Sequence, residues 1–233
     1  MKICILEADT PSSELLDIAG TYADMFQAWL APVMPQAGFS RVGAYKGQLP
    51  ASVDDYDGYL ITGSLCSAYD DIPWIHDLDD FVEKAISHGG SVGGICLGHQ
   101  LMAQVMGGHV SLCQAGWSVG KAEYQTTPSG RDWFGQDTLQ TLAFHRDQVV
   151  DLPTGATPLA GNSHCPWAAL AYENRALSVQ FHPEFAQEYV SALIRQNSEG
   201  TIPSELADEA INNMARDNND TLAQAFAKLF EVL

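Results

Sequence analysis

Residues 93–108 read GGICLGHQLMAQVMGG. An apolar run over residues 91–95 gives way at Cys96 to a helical pattern over residues 97–106, with glycines on both sides of the cysteine. A strand that turns sharply into a helix exposes the turn residue above the sheet edge. It also sets that residue at a helix N-terminus, where free N–H groups and the positive end of the dipole collect. A thiol at such a position gives up its proton more readily and becomes a nucleophile. Gly94 and Gly98 fit the same picture, because without a Cβ they let the chain turn and let helix and strand approach closely. The Leu97 N–H then points toward whatever the sulfur attacks, as one donor to an oxyanion.

Outward from this junction, strand and helix signals alternate through the first half. KICILE (2–7) and GYLITG (58–63) are apolar strands, and SVGGI (91–95) is the strand feeding Cys96. Helical patterns lie between them. Tyr22, Phe26 and Trp29 recur at helical spacing, and Ile75, Leu78, Phe81, Val82, Ala85 and Ile86 make one stripe that stops at Gly89-Gly90. From about Val110 to Gln180 the pattern changes to short strands separated by Pro, Gly, Asn and Asp turns: SVGKAEYQTT, TLQTLAFH, DQVVDLP, ATPLAGN, AALAY and ALSVQF. Helices return over 186–196, 204–213 and 221–230, the last with Leu222, Ala225, Phe226, Leu229 and Phe230 on one face. The fold class expected is α/β: a largely parallel central sheet with helices on both faces, a nucleophile elbow at a strand–helix turn, and a smaller antiparallel strand segment. One domain over 1–233 is expected, with 201–233 as a C-terminal helical extension.

Composition narrows the function. Eleven Lys+Arg stand against 29 Asp+Glu, a net charge of −18, so the clustered positive charge that a phosphate backbone needs is missing and nucleic acid is excluded as a partner. No apolar run approaches the roughly 20 residues of a membrane span, and MKICILEADT reads as a first buried strand and not a signal peptide; the expected location is cytoplasmic. The five cysteines (4, 66, 96, 113, 165) form no CxxC pair and no even-numbered disulfide framework. Four of them read as buried structural thiols. No metal site is visible, since no third ligand is spaced to join His182 and Glu184, and no cofactor is called for.

A nucleophilic cysteine needs a base, and the base an orienting partner. SVQFHPEF (178–185) supplies both. A β-type run delivers His182, and Glu184, two residues on in extended chain, projects to the same side. Of the seven histidines, His182 alone has a carboxylate at that spacing directly after a strand.

GGICLGHQ together with QFHPEF, and more loosely ITGS…SAYDD (61–71), resembles the class I, triad-type glutamine amidotransferases, in a stand-alone branch similar to the amidotransferase domain of GMP synthase. The resemblance runs from KICILE to SALI (191–194) and thins after about Gly200; it implies a flavodoxin-like architecture. It also implies that Cys96 attacks the side-chain carboxamide of glutamine, that His182 takes the thiol proton and returns it to departing ammonia, and that Glu184 orients His182. The oxyanion would be received by Leu97 N–H and a backbone N–H of the loop after the second strand. That loop has two glycines and a proline in the family but reads Gly63-Ser64-Leu65 here, so Ser64 stands where the second glycine would. Gly63 and Gln100 are implied substrate contacts, and His99 packs behind the elbow. His145 and Asp147 order a loop beside the site, where Phe144 and Arg146 depart from the family pattern. The segment 162–170, with Cys165 and Trp167, is expected near the substrate's α-amino and α-carboxyl groups.

The function expected is cysteine-dependent hydrolysis of the side-chain amide of glutamine, or of a related γ-glutamyl amide or peptide, through a γ-glutamyl thioester. The partner is then a glutamine-like small molecule, and the C-terminal helices, capping an independent body, favour a free-standing hydrolase. The alternative is a glutaminase subunit that hands ammonia to a separate synthetase chain. A third reading, a non-enzymatic regulatory protein on the same fold, is opposed by the complete Cys96, His182 and Glu184 set.

Overall fold

The computed structural model describes residues 1–173, 175–198, 200–214 and 219–231. The chain opens with β1 (Lys2–Glu7), α1 (Ser13–Ala19), α2 (Tyr22–Leu30), β2 (Gly38–Gly43) and β3 (Gly58–Ile61). Then come α3 (Pro73–Ser87), β4 (Ser91–Ile95), α4 (Leu97–Val105), β5 (His109–Leu112) and β6 (Ser118–Thr126). The next run is α5 (Pro128–Phe134), β7 (Thr138–His145), β8 (Asp147–Asp151), β9 (Ala156–Gly161), β10 (Ala169–Tyr172) and β11 (Ala176–Val179). Three helices finish it: α6 (Gln187–Ser198), α7 (Ser204–Asn212) and α8 (Asn219–Glu231).

One sheet in the order β2-β1-β3-β4-β11-β10-β9-β6-β7 carries the architecture, and β5 and β8 pair separately. From β2 to β11 every pairing is parallel, and from β11 to β7 every pairing is antiparallel. The expected fold class holds, and the antiparallel strands turn out to prolong the parallel sheet. Both faces are covered. Along β1, Ile3 and Ile5 join the core made with Phe26, Phe226 and Phe230, whereas Cys4 and Leu6 join Ile75, Leu78, Val82 and Leu101 on the other side. Successive residues of a strand point to opposite faces, so a strand buried on both sides reads as an unbroken apolar run, as KICILE does.

Four elements, the four-residue β5 among them, escaped the sequence patterns for local reasons. α1 buries only Leu15, too little for a periodic stripe. β2 is an edge strand with no fully buried residue. α5 is announced by a cap, the Thr127 hydroxyl accepting from Gly130 N–H at 3.0 Å ahead of a first-turn proline, and not by periodicity. The last helix does dock. Phe230 occupies the space where a Cβ on Gly58 would stand, 2.6 Å from its ring, Phe226 does the same over Gly93, and Ser91 Oγ donates to Leu229 O at 3.1 Å. The helix α8 thus braces β3 and β4 from behind, two of the strands whose carboxyl ends carry the site.

Candidate active site

The chain leaves β1, β3, β4 and β11 at one edge of the parallel sheet, where open α/β sheets hold their ligands. Asp9 follows β1, Gly63 and Ser64 follow β3, Cys96 follows β4 and His182 follows β11. Because β11 lies parallel to β4, with Val179 opposite Ile95 and Cys96 N–H bonded to Val179 O at 2.9 Å, residues 86 positions apart in sequence emerge side by side.

Cys96 has φ 52° and ψ −104°, one of two positive-φ residues other than glycine among the described residues. A side chain there costs of order 1–3 kcal/mol, held by the surrounding structure. Of the two needs the sequence suggested for the glycines beside it, close approach is the one met: Cys96 itself makes the turn, and Gly94 and Gly98 make room. A Cβ on Gly94 would lie 2.6 Å from the Gly98 backbone, and one on Gly98 would lie 2.6 Å from Ile61 O. Both contacts are with backbone, which cannot swing away. Gly98→Ala is therefore expected to cost about 2 kcal/mol or more, read as a lowered midpoint in urea unfolding. An unchanged midpoint would mean that α4 does not sit this tightly on β3.

His182 Nδ1 lies 2.7 Å from Glu184 Oε1, the two side chains being almost wholly buried. The ring stacks flat on Phe185, centroids 4.1 Å apart and planes 2° from parallel, and Phe185 rests in turn against Tyr189 and Tyr22. Backbone holds the segment too: His182 N–H donates to Leu142 O at 2.8 Å, and Asn219 donates to Pro183 O. Burial by itself pushes the imidazole's pKa down. The negative charge of Glu184, then the charge and hydrogen bond of Cys96, outweigh it and carry the value up to about 10. Gly63 lies against both partners: a Cβ there would stand 3.0 Å from His182 Cε1 and 3.3 Å from Cys96 Cβ. A side chain there would crowd the pair, and Gly63 is not among the residues lining the cleft.

Two backbone N–H groups close to Cys96, one next in sequence and one in the same cleft, are unbonded among the described residues: Leu97 N–H, first in α4, and Ser64 N–H. Ser64 needs no left-handed backbone, so serine replaces a glycine here without strain. Its loop is pinned by Asp9 Oδ2, which accepts from Ser64 Oγ at 3.2 Å and from Leu65 N–H at 3.1 Å, while Ser64 Oγ accepts from Cys66 N–H at 3.1 Å. Nothing local in the sequence points to Asp9; only β1 lying next to β3 brings it there.

The cleft over Cys96 is walled by Ser64–Ser67 on one side and by Trp117 and Phe144–Asp147 on the other. Gln100 lines it too, but the side-chain NH2 is taken by Asp147 O at 2.8 Å and Gln180 Oε1 at 3.1 Å, so only its oxygen is left unbonded among the described residues. Asp147 accepts from Ser67 Oγ and so ties the two walls together. His145 is buried and held neutral, its pKa lowered to about 3 by desolvation and then by neighbouring His182 and His164. His99, bonded to Ser178 Oγ at 2.8 Å, is also lowered to about 3 by burial and packs behind the elbow. The segment 162–170 contributes no lining residue; Cys165 is in the core, and Trp167 bonds outward to Val150 O at 3.4 Å. Only Ala169 and Leu170 of this segment belong to β10; the rest is the connection from β9, with Ser163 and Pro166 exposed. Among the described residues no three His, Cys, Asp or Glu side chains gather as a metal-binding group, and no helix is long and apolar enough to cross a membrane.

The model of the glutamine amidotransferase class-I family matches residues 41–197. A glutamine amidotransferase-like protein of Schizosaccharomyces pombe is 31% identical over 210 residues, covering 83% of each chain. Gamma-glutamyl peptidase 5 of Arabidopsis thaliana is 31% identical over 203 residues, 83% of this chain and 79% of its own. Among solved structures, a glutamine amidotransferase from Thermotoga maritima superposes with a TM-score of 0.80 over 99% of this chain and 98% of its own, at 18% identity.

Proposed function

The chain belongs to the class-I glutamine amidotransferase family, and from that premise we propose that it is a cysteine hydrolase of γ-glutamyl amides and peptides. The observation that carries this is the strained Cys96 at the strand–helix turn, next to an imidazole fixed by Glu184 at 2.7 Å and by the Phe185 ring. Cys96 Sγ, as thiolate, attacks the γ-carbonyl carbon. The oxyanion that forms is met by Leu97 N–H and Ser64 N–H, each worth about 10²–10³ in rate at such a position. His182, as imidazolium, gives its proton to the departing amine, and the C–N bond breaks to leave a γ-glutamyl thioester. A water then loses a proton to His182 and attacks the thioester, releasing glutamate and restoring the thiolate–imidazolium pair. Glu184 keeps the imidazole in one tautomer and orientation throughout. The peptide form of the substrate is favoured by the relatives named as gamma-glutamyl peptidases, which align along four-fifths or more of this chain.

The test is amine and ammonia release by the purified chain from glutamine, from a series of γ-glutamyl dipeptides and from α-linked glutamyl dipeptides as controls. Turnover confined to γ-linked compounds is expected. A chain that turns over none of them, while a glutamine-like electrophile still alkylates Cys96, is instead a subunit that works only beside a synthetase.

A further inference from the structure

In a chain with 29 acidic residues, one cation faces the cleft over Cys96 and has no acid to pair with. Arg146 follows β7 and lines the same cleft as Cys96; its side chain is exposed, and among the described residues it makes no ion pair. Asp147, next in sequence, turns its carboxylate to Ser67 Oγ and not to the guanidinium. The guanidinium lies instead over the ring of Trp117, 5.7 Å from its centroid. Trp117 is itself fixed, by Nε1 donating to Thr201 O at 2.9 Å and by contact with Phe144 at 5.4 Å. Arg146 O accepts from Cys113 N–H at 2.8 Å, which anchors its backbone. The other basic group in the cleft, His145, is neutral by burial and cannot take this part.

A solvent-reachable guanidinium fork laid over an aromatic ring and next to a nucleophile suits a carboxylate, which it meets with two parallel hydrogen bonds. We infer that Arg146 is a specificity residue that binds a free carboxylate of the substrate while Cys96 works on the γ-amide. This rests on the hydrolase reading above. The carboxylate has two sources, the α-carboxylate of the glutamyl residue or the terminal carboxylate of the leaving amino acid or peptide, and the same guanidinium chemistry serves either.

The experiment is steady-state kinetics of the wild-type chain, Arg146→Ala and Arg146→Lys on three matched compounds. These are a γ-glutamyl dipeptide, the same dipeptide with a C-terminal amide, and the same dipeptide with an α-carboxamide on its glutamyl residue. Wild type is expected to prefer the dicarboxylate by about ten-fold or more in kcat/KM over whichever amide lacks the recognised group. Arg146→Ala should erase that preference through KM, with Arg146→Lys, a charge without the fork, intermediate. Lost discrimination against the C-terminal amide assigns the leaving side, and against the α-carboxamide the glutamyl side. If Arg146→Ala turns over the dipeptide and keeps the wild-type preference against both amides, the assignment of Arg146 is wrong and the hydrolase reading stands. If wild type cleaves none of the three, the hydrolase reading has failed and this inference falls with it.

Discussion

Cys96→Ala is expected to lower amine release from γ-glutamyl substrates by about 10⁴-fold or more, with no loss of folded structure. Cys4, Cys66 and Cys165 are not set up to substitute. Burial pushes the thiols of Cys4 and Cys165 up to about 12, and it raises Cys66 as well. Stability provides a second readout, because the backbone at position 96 is unfavourable for any side chain. Cys96→Gly should be equally inactive yet more stable than Cys96→Ala by about 1 kcal/mol, since glycine alone adopts this φ without strain and the relief outweighs its extra unfolded-state entropy. Thermal unfolding of the two variants side by side checks this. Near wild-type turnover by Cys96→Ala would end the assignment of the nucleophile, and an alanine variant as stable as the glycine one would show that the turn is not under strain.

The second large effect belongs to His182 and its partner. His182→Asn should be nearly inactive, down about 10⁴-fold, because no nearby group can deliver a proton to the departing amine. Glu184→Gln should retain some activity, falling about 10²-fold, and should also change the pH profile. The sign follows from the charges. In the wild type the imidazole keeps its proton up to about pH 10 because the negative charges of Glu184 and Cys96 overcome the effect of burial. As pH rises through that value the proton donor is lost, and kcat/KM falls. A neutral glutamine removes the Glu184 contribution and leaves burial less opposed, so the pKa drops and the alkaline limb moves to lower pH, by about one to three units. A pH profile of kcat/KM for Glu184→Gln with its alkaline limb unmoved would sink the role given to Glu184.

Local sequence was enough wherever one residue's neighbours along the chain set its environment. The unbroken apolar runs at 2–7, 58–61 and 91–95, bounded by turn residues, read as strands buried on both faces, and the stripe from Ile75 to Ile86 as a helix lying on one. The Cys96 junction and the His182–Glu184 pair were legible for the same reason, since each is built within a few residues of chain. Elements without a buried periodic face, such as β2 and α1, were not legible, because nothing in their own sequence separates them from loop.

What only the tertiary structure decided is which distant residues share an edge of the sheet. The parallel pairing of β11 with β4 puts His182 beside Cys96, and the neighbouring β1 brings Asp9 to the Ser64 loop. The same packing showed that Gly98 is required by the backbone of Ile61, and that the Gln100 amide is already half committed inside the protein. Sequence carries the period of each strand and helix, and so their buried faces. It carries no record of strand order, and strand order is what fixes the distances on which the chemistry depends.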